Sequence, residues 1–405
     1  MEGNFSTLLI QSGIFFALTF LVFRYAPRIK TGRAFLLLIA GLVTLQLICV
    51  ATLKIQIMDV LLGSAAGYHL RQKIDFYWID QGQGGYPYFP FLIFIQAFFN
   101  WLTEMFPGTL YTMYVRLLNL AAMITVASAV YLQLKPKSLF QARLGVLLLL
   151  ASPITYLSVF YHAQSDVVLL AFFLLGSFVL LRRRSVKNLL IGSILYAASI
   201  AGKTWSIIFL PAIFRKLGVV KTGVLIAISG IFILCDLFVY TRLVFGSRIR
   251  EVFLAALNAG GPIGVWGVSG LTTLLQLPIV WNGSFRFSWL AITFGLIQFL
   301  LFRKKINFWQ HCFATVLSFY LITPNWGVQY VFWIVPFLSL LIIELGKETI
   351  FLYSVVFGVY VLLHYINITL GFSLVSDQVL LIFGVGLWGG LLVWGIRWYR
   401  NLQSV

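Results

Sequence analysis

The chain has 405 residues, of which 61% are hydrophobic and 10% charged, and its formal net charge is +18. A soluble domain carries about 25% charged residues, so this composition argues against a soluble enzyme and against any cytosolic nucleotide-binding domain. The basic excess belongs with a polytopic membrane protein, which gathers lysine and arginine in its cytoplasmic loops, and not with a nucleic-acid surface.

A membrane span needs roughly 20 apolar residues to cross a hydrocarbon core of about 30 Å. The apolar runs here are continuous instead of alternating, which selects helices over a barrel. The expected fold is an all-α polytopic membrane protein with about 11–13 transmembrane helices, forming a single integral-membrane domain over residues 1–405. Cys49, Cys235 and Cys312 all lie inside apolar runs and provide neither a disulfide framework nor metal-ligand spacing.

The first run, about Ser6 to Phe23, lacks a basic leader and a small-residue cleavage site, so it is expected to be a retained helix. Arg24, Arg28, Lys30 and Arg33 follow it, which puts this loop in the cytoplasm and the N-terminus outside. A second span, about Ala34 to Leu53, delivers Lys54–Pro90 to the outer face. That stretch holds three of the eleven acids (Asp59, Asp75, Asp80), together with His69, and ends in Tyr86-Pro87-Tyr88-Phe89-Pro90. With the aromatic run that follows, expected to lie in the outer interface, it forms an outer loop over residues 54–112.

A span from about Met113 to Leu134 leads to Lys135, Lys137 and Arg143. A hairpin of two spans follows, about Leu144–Tyr161 and Asp166–Leu181, with His162-Ala163-Gln164-Ser165-Asp166 at its outer tip. Two runs too short to cross alone, Asn188–Ala201 and Trp205–Phe214, flank Gly202-Lys203-Thr204 and read as half-length helices meeting near Lys203. Gly223–Phe245 returns outward to a loop with Arg248, Arg250 and Glu251. Five further spans end near Ile396, with the C-terminus inside. This topology puts 20 of the 29 lysines and arginines in inner loops and eight of the eleven acids outside. The sequons at Asn4, Asn282 and Asn367 also fall outside.

Asp59 follows a span directly and has apolar neighbours, so its carboxylate is partly desolvated and suited to act as a base. The alternative is an N-cap for a short helix over Val60–Lys73. Asp75, four residues after Arg71, suits a helical salt bridge, and Asp80, among Gln81, Gly82 and Gly84, a solvated loop. His69 has no second ligand at metal spacing and reads as an interfacial polar residue. Gly63 and Gly67 form Gly-x-x-x-Gly, which permits close helix packing. His162 and Asp166, four apart, would share a face if helical. A lysine between half-helices, as at Lys203, needs a counter-charge or an anionic ligand. Arg116, Arg242, Arg248 and Arg250 are the other outer cations suited to a phosphate, and Asp236 lies inside a span, either paired to one of them or packed. Thr323–Tyr330 is an outer loop whose aromatic and amide groups, including Gln329 and Tyr330, suit a sugar.

In order along the chain, Asp59, Gly67-Tyr68, the Tyr86–Pro90 knot, Ser152-Pro153 with His162-Ala163-Gln164-Ser165-Asp166, Lys203 with Pro211, and Pro324 with Gln329, Tyr330 and Trp333 form a pattern. It resembles the GT-C superfamily of integral-membrane glycosyltransferases, and within it the polyprenyl- or dolichyl-phosphate-mannose-dependent mannosyltransferases, over about residues 34 to 340. The chain departs from the simplest pattern in its extra N-terminal span (1–33), in lacking an adjacent acidic pair and in having no soluble C-terminal domain. The resemblance implies transfer of mannose or another hexose from a polyprenyl-phosphate donor to a glycan or glycolipid acceptor on the outer face, with inversion. Asp59 would be the base. His69, Asp75, Asp80, Tyr86, His162, Gln164, Asp166, Lys203, Arg248, Arg250, Gln329 and Tyr330 would bind substrate. No cofactor and no nucleic acid are expected, divalent-metal dependence stays open, membrane lipids are the surroundings, and a bacterial plasma membrane is the expected location. The rival readings are a lipid-linked glycan polymerase or ligase, whose active loop usually comes late in the chain, and a transporter, which would place ionisable residues at mid-membrane.

Overall fold

The computed structural model describes residues 2–26, 31–53, 57–79, 89–182, 185–244, 249–252, 263–370 and 375–403. Among these residues the chain is helical throughout, and no strand is formed beyond an isolated bridge between Ile263 and Asn325. In chain order the helices are α1 (Glu2–Tyr25), α2 (Gly32–Thr52), α3 (Met58–Arg71), α4 (Phe76–Ile79), α5 (Phe91–Met105), α6 (Tyr111–Leu134) and α7 (Leu139–Ala151). Next come α8 (Pro153–Thr155), which runs into a π-helix (Tyr156–Tyr161), then α9 (Asp166–Arg182), α10 (Val186–Gly202), a 3-10 turn (Thr204–Phe209), α11 (Leu210–Leu217) and α12 (Val219–Leu243). The remainder is α13 (Gly267–Leu274), α14 (Gly283–Phe302), α15 (Phe308–Ile322), a 3-10 turn (Val328–Ile334), α16 (Val335–Leu340), α17 (Ile342–Leu370, broken at Gly346) and α18 (Asp377–Asn401).

This is an all-α polytopic membrane protein. Seven helices among the described residues are long and apolar enough to cross a membrane singly, and α7 with the Pro153–Tyr161 segment forms an eighth, bent by 46°. The rest of the expected spans fall on shorter helices such as Val186–Gly202, Phe308–Ile322 and Val328–Leu340. Phe308–Ile322 and Val328–Leu340 are tolerated at this length because neighbouring helices surround most of their side chains, whereas the first half of Val186–Gly202 stays exposed. Helix α9 is packed between α6 and α10, and most of its side chains are buried. By contrast α14 and α18 keep most of their apolar surface outward, as lipid-facing helices do.

The bend after α7 follows from Pro153, which has no N–H and cannot continue the helix. In a span the carbonyls it frees cannot turn to water, so each needs a protein donor. The sequence supplies them. Thr155 Oγ1 donates to the Leu149 carbonyl at 2.8 Å, Gln46 Nε2 to Leu150 at 2.9 Å, and Thr19 Oγ1 to Ala151 at 2.8 Å. Two polar residues inside α1 and α2 are therefore explained by a proline more than 100 positions away.

The two ends of the bundle differ. At one end Arg215 donates to the Leu301 carbonyl (2.8 Å) and to that of Lys304, and Lys305 N donates to Gln403 O (2.8 Å). These are the segments expected to be cytoplasmic. The tip of the α7–α9 hairpin lies at the other end of α9, about 25 Å away along a 17-residue helix.

Helix α3 packs on α5 through the Gly-x-x-x-Gly face. A Cβ at Gly63 would lie 2.7 Å from Gln96 Nε2, and one at Gly67 2.5 Å from the Gln96 carbonyl carbon, which is backbone and cannot swing away. Gly41 has nothing within 4 Å. Gly67→Ala is accordingly expected to lower stability by about 1–3 kcal/mol, whereas Gly41→Ala leaves it unchanged or slightly raised. Thermal unfolding of both variants in detergent checks this, and equal Tm values would contradict the close contact.

Candidate active site

The site is built on the hairpin tip. The π-helix leaves the carbonyls of its last turn without regular partners, and His162 N reaches back to Leu157 O at 2.9 Å. Helix α6 supplies the missing donors. Arg116, 1% exposed, donates from Nε to Phe160 O (2.8 Å), from Nη1 to Leu53 O (2.6 Å) and from Nη2 to Tyr161 O (3.4 Å). Asn119 Nδ2, one turn further on, donates to Val159 O (3.0 Å) and Gln164 O (2.9 Å). Between them Ala163 is held at φ +59°, a left-handed conformation that costs a non-glycine residue about 1–2 kcal/mol. Because Arg116 also binds the carbonyl that ends α2, it fixes the start of α3 against the tip. The reading of Arg116 as an outer cation for phosphate is thereby corrected: it is a buried clamp on three carbonyls.

Asp59 lies in the first turn of α3, and Ile57 with extended backbone (φ −92°, ψ 152°) occupies the N-cap position. The N-cap alternative for Asp59 does not hold. Its Oδ2 is 3.1 Å from His162 Nε2 and also accepts from Gln164 Nε2. Gln164 turns its Oε1 to Lys203 Nζ (3.4 Å), and Lys203 pairs with Asp166 Oδ1. The amide assignment of Gln164 is thus fixed by its neighbours, nitrogen to the carboxylate and oxygen to the ammonium. His162 Nδ1 meets the Tyr365 hydroxyl at 2.6 Å. Asp59, His162, Gln164, Asp166 and Lys203 therefore stand together, from three separate parts of the chain. His162 and Asp166 do not share a helical face: the turn at Ala163 separates them, and Gln164 bridges them.

The cluster is buried on one side only. His162, Gln164, Asp166 and Lys203 are each 6% exposed or less. The Asp59 side chain is 48% exposed, and its Oδ1 has no protein partner among the described residues. Burial pushes the Asp59 carboxyl up, but the hydrogen bond and the charge of His162, the charge of Lys203 and the hydrogen bond from Gln164 outweigh it and hold the group below the usual carboxylate range. Lys203 is not an open cation. It sits at the break between α10 and the 3-10 turn, where half-helices meet as the sequence suggests, with its charge met by Asp166 and its ammonium 5.8 Å from the Tyr330 ring. Tyr330 in turn packs on Trp333 (4.5 Å) and Trp326 (6.0 Å), both buried. Asp166 Oδ2 is buried with no partner among the described residues.

Other expected binding residues stand elsewhere. Asp75 accepts from Tyr77 N (3.1 Å) and Tyr240 Oη (3.0 Å), tying α4 to α12, and Arg71 pairs with Glu104 at 2.5 Å instead of with Asp75. The helical Arg71–Asp75 salt bridge is lost because α3 ends at Arg71. His69 stacks on Phe76 at 5.7 Å. The Gln329 side chain folds against Gly327. Asp236 accepts from Phe91 N (3.0 Å), so it caps α5 and pairs with no arginine among the described residues. Arg250 is exposed on residues 249–252. Asp80, Tyr86 and Arg248 lie outside the described residues. The residues that sequence reasoning passed over are Tyr365 and Asn119. Neither carries a local signal, since a tyrosine late in a span and an asparagine in mid-span are ordinary until the fold shows what they touch.

Removing one partner of the buried Lys203–Asp166 pair leaves the other charge uncompensated, at about 3–5 kcal/mol. Lys203→Met should therefore lower the Tm sharply, and adding Asp166→Asn should restore most of the loss. A double variant no more stable than Lys203→Met would contradict the pairing.

Residues 61–218 match the family model described as the N-terminal domain of alpha-(1->6)-mannopyranosyltransferase. The matched stretch starts two residues after Asp59 and takes in His162, Gln164, Asp166 and Lys203, while Tyr330 and Tyr365 lie beyond it. No curated protein matches the chain. The chain is a multi-pass membrane protein that over residues 61–218, less than half of its length, is similar to a mannopyranosyltransferase N-terminal domain.

Proposed function

We propose that this chain is a GT-C-type glycosyltransferase that moves a mannosyl or related hexosyl residue from a polyprenyl-phosphate donor to a hydroxyl of a glycan or glycolipid acceptor, with inversion. The observation that carries the proposal is Asp59: one oxygen is pinned by His162 and Gln164, the other is open, and the pinned side is buried while the open side is exposed. Such a carboxylate is oriented before any substrate arrives, which is what a positioned base requires.

In this reading Asp59 Oδ1 takes the proton of the acceptor hydroxyl. The acceptor oxygen attacks the sugar C1, the bond from C1 to the phosphate oxygen breaks, and the lipid phosphate leaves with the electron pair. The proton is then released from Asp59 to solvent. A lipid-phosphate donor suits a site held by membrane helices, since its leaving group is already carried in the membrane. Asp59, Asp166 and Lys203 sum to one negative charge, so this cluster serves the neutral hydroxyls of acceptor and sugar. Asp166 Oδ2 is available to accept from one of them. The phosphate is assigned to exposed cations instead, with Arg242 and Arg250 the candidates among the described residues. The site would face outward, in a bacterial plasma membrane.

Asp59→Asn keeps the shape and loses the base. It is expected to reduce transfer by about 10²–10⁴-fold in membranes supplied with polyprenyl-phosphate sugar, with Tm little changed. Transfer within tenfold of the parent would overturn Asp59 as the base.

The pH dependence has a defined sign. Because the folded carboxyl is held below its ordinary value, Asp59 is ionised throughout the neutral range, and kcat/KM should stay level on the acid side down to about pH 4. The hydrogen bonds it accepts likewise stabilise the fold above the unfolded carboxylate value and are lost as pH falls through the lowered folded one. An acid limb of kcat/KM near pH 6 in the parent enzyme would contradict the first statement, and a Tm that does not fall as the pH drops through the carboxylate range would contradict the second.

A further inference from the structure

We infer that Gln11 of helix α1 is a positioning residue for the reacting cluster: it ties the π-helix that leads into His162 and Gln164 to the end of α2, which delivers Asp59. This role rests on the reading of Asp59 as the base, and it brings in a helix that the matched stretch does not reach.

Gln11, Phe15 and Thr19 stand four residues apart and form a row on one face of α1. All three meet the hairpin. Tyr156, the first residue of the π-helix, donates from its hydroxyl to Gln11 Oε1 at 2.7 Å. Its ring stacks on that of Phe15, with 4.7 Å between centroids and 11° between planes. Thr19 donates to the Ala151 carbonyl at the end of α7, at 2.8 Å. The other half of the Gln11 amide serves α2. Its Nε2 donates to Thr52 Oγ1 at 3.0 Å, and the Thr52 hydroxyl donates on to Ile48 O at 2.8 Å. Thr52 is the last residue of α2. One side chain thus bridges two elements with its acceptor and its donor, as amides of membrane helices do across helix contacts.

Arg116, from α6, ties the same two elements. It holds Leu53 O, next to Thr52, and Phe160 O, four residues after Tyr156. The end of α2 and the π-helix are therefore stapled twice, by side chains from two different helices. A member of the cluster follows each staple. Asp59 comes seven positions after Thr52, and His162 comes six after Tyr156, with its N–H bonded back to Leu157 O. The 3.1 Å contact of Asp59 Oδ2 with His162 Nε2 depends on how the two elements are set against each other. With Arg116 alone they still meet, but they are free to rotate about one anchor. A displacement of 1 Å at a reacting group can cost about 10²-fold in rate, so the loss of one staple of two should cost part of that. Gln11 touches no substrate in this scheme.

The test is Gln11→Leu against the parent, in membranes supplied with polyprenyl-phosphate mannose. Its kcat per folded molecule should fall about tenfold, with KM for the donor within about threefold. Tyr156→Phe keeps the ring on Phe15 and removes the hydroxyl. It should lose a similar factor, and the double variant should be no slower than Gln11→Leu, because both changes break one bond. Gly13→Ala, on a part of α1 where nothing lies within 4 Å, should match the parent. The parent's kcat in Gln11→Leu, a change carried by KM alone, or losses that multiply in the double variant overturn the inference. Hydrogen exchange read by mass spectrometry gives a check that needs no activity. Gln11→Leu should speed exchange in peptides covering residues 156–164 and leave the rest of the bundle as it is. Exchange unchanged over 156–164, or raised throughout the bundle as a general loss of stability would raise it, overturns the inference. Asp59→Asn run alongside separates the two proposals. Activity retained there removes the base itself, whereas an inactive Asp59→Asn with Gln11→Leu at the parent's rate removes only the role of Gln11.

Discussion

Backbone carbonyls inside a membrane must find donors within the protein, and this fold depends on how that need is met around one hairpin. Pro153 breaks the helix, the π-turn that follows breaks its register, and a run of carbonyls from Leu149 to Gln164 is exposed by the two breaks. Thr155, Gln46 and Thr19 satisfy the first group, and Arg116 and Asn119 the second. Irregular backbone at such a place has a use: it turns His162 and Gln164 toward Asp59 and starts α9 with Asp166 aimed at Lys203. An arginine here acts by its five donors and its rigid plane, and its charge is secondary.

The electrostatics follow from the same construction. A charge in the interior is sustained only when paired and hydrogen-bonded. Lys203 and Asp166 meet that condition with each other, and Gln164 carries the polarity of the pair to Asp59 with its amide. Asp59 is the one acid of this group that reaches solvent. The arrangement therefore separates a buried, balanced half that sets geometry from an exposed half that, in the proposed function, meets substrate. It also explains why a lysine between two short helices need not mark a phosphate site.

Much of this architecture was legible in the chain. Continuous apolar runs and basic clusters announced a helical membrane protein, and a lysine between two short runs announced a broken span. Gly63 and Gly67 announced a close helix contact. The tip sequence, with its proline upstream and its His-x-Gln-x-Asp spacing, pointed to the residues that the fold gathers around Asp59. What stayed hidden were partners set by three-dimensional packing. Arg71 finds Glu104 across the α3–α5 contact because α3 stops before Asp75, and Asp236 finds the free N–H at the start of α5, where the helix dipole favours an anion. Arg116 reads as a surface cation in sequence, since nothing local reveals three orphaned carbonyls around it. Tyr365 is separated from His162 by 203 positions.

The central claim is direct displacement at the sugar by a hydroxyl that Asp59 deprotonates. The most direct measurement is the anomeric configuration of the product formed from a polyprenyl-phosphate sugar of defined anomer, read by NMR. A single displacement predicts a product of opposite configuration to the donor. A product that retains the donor configuration would require a glycosyl-enzyme intermediate or another double displacement, and would contradict the account.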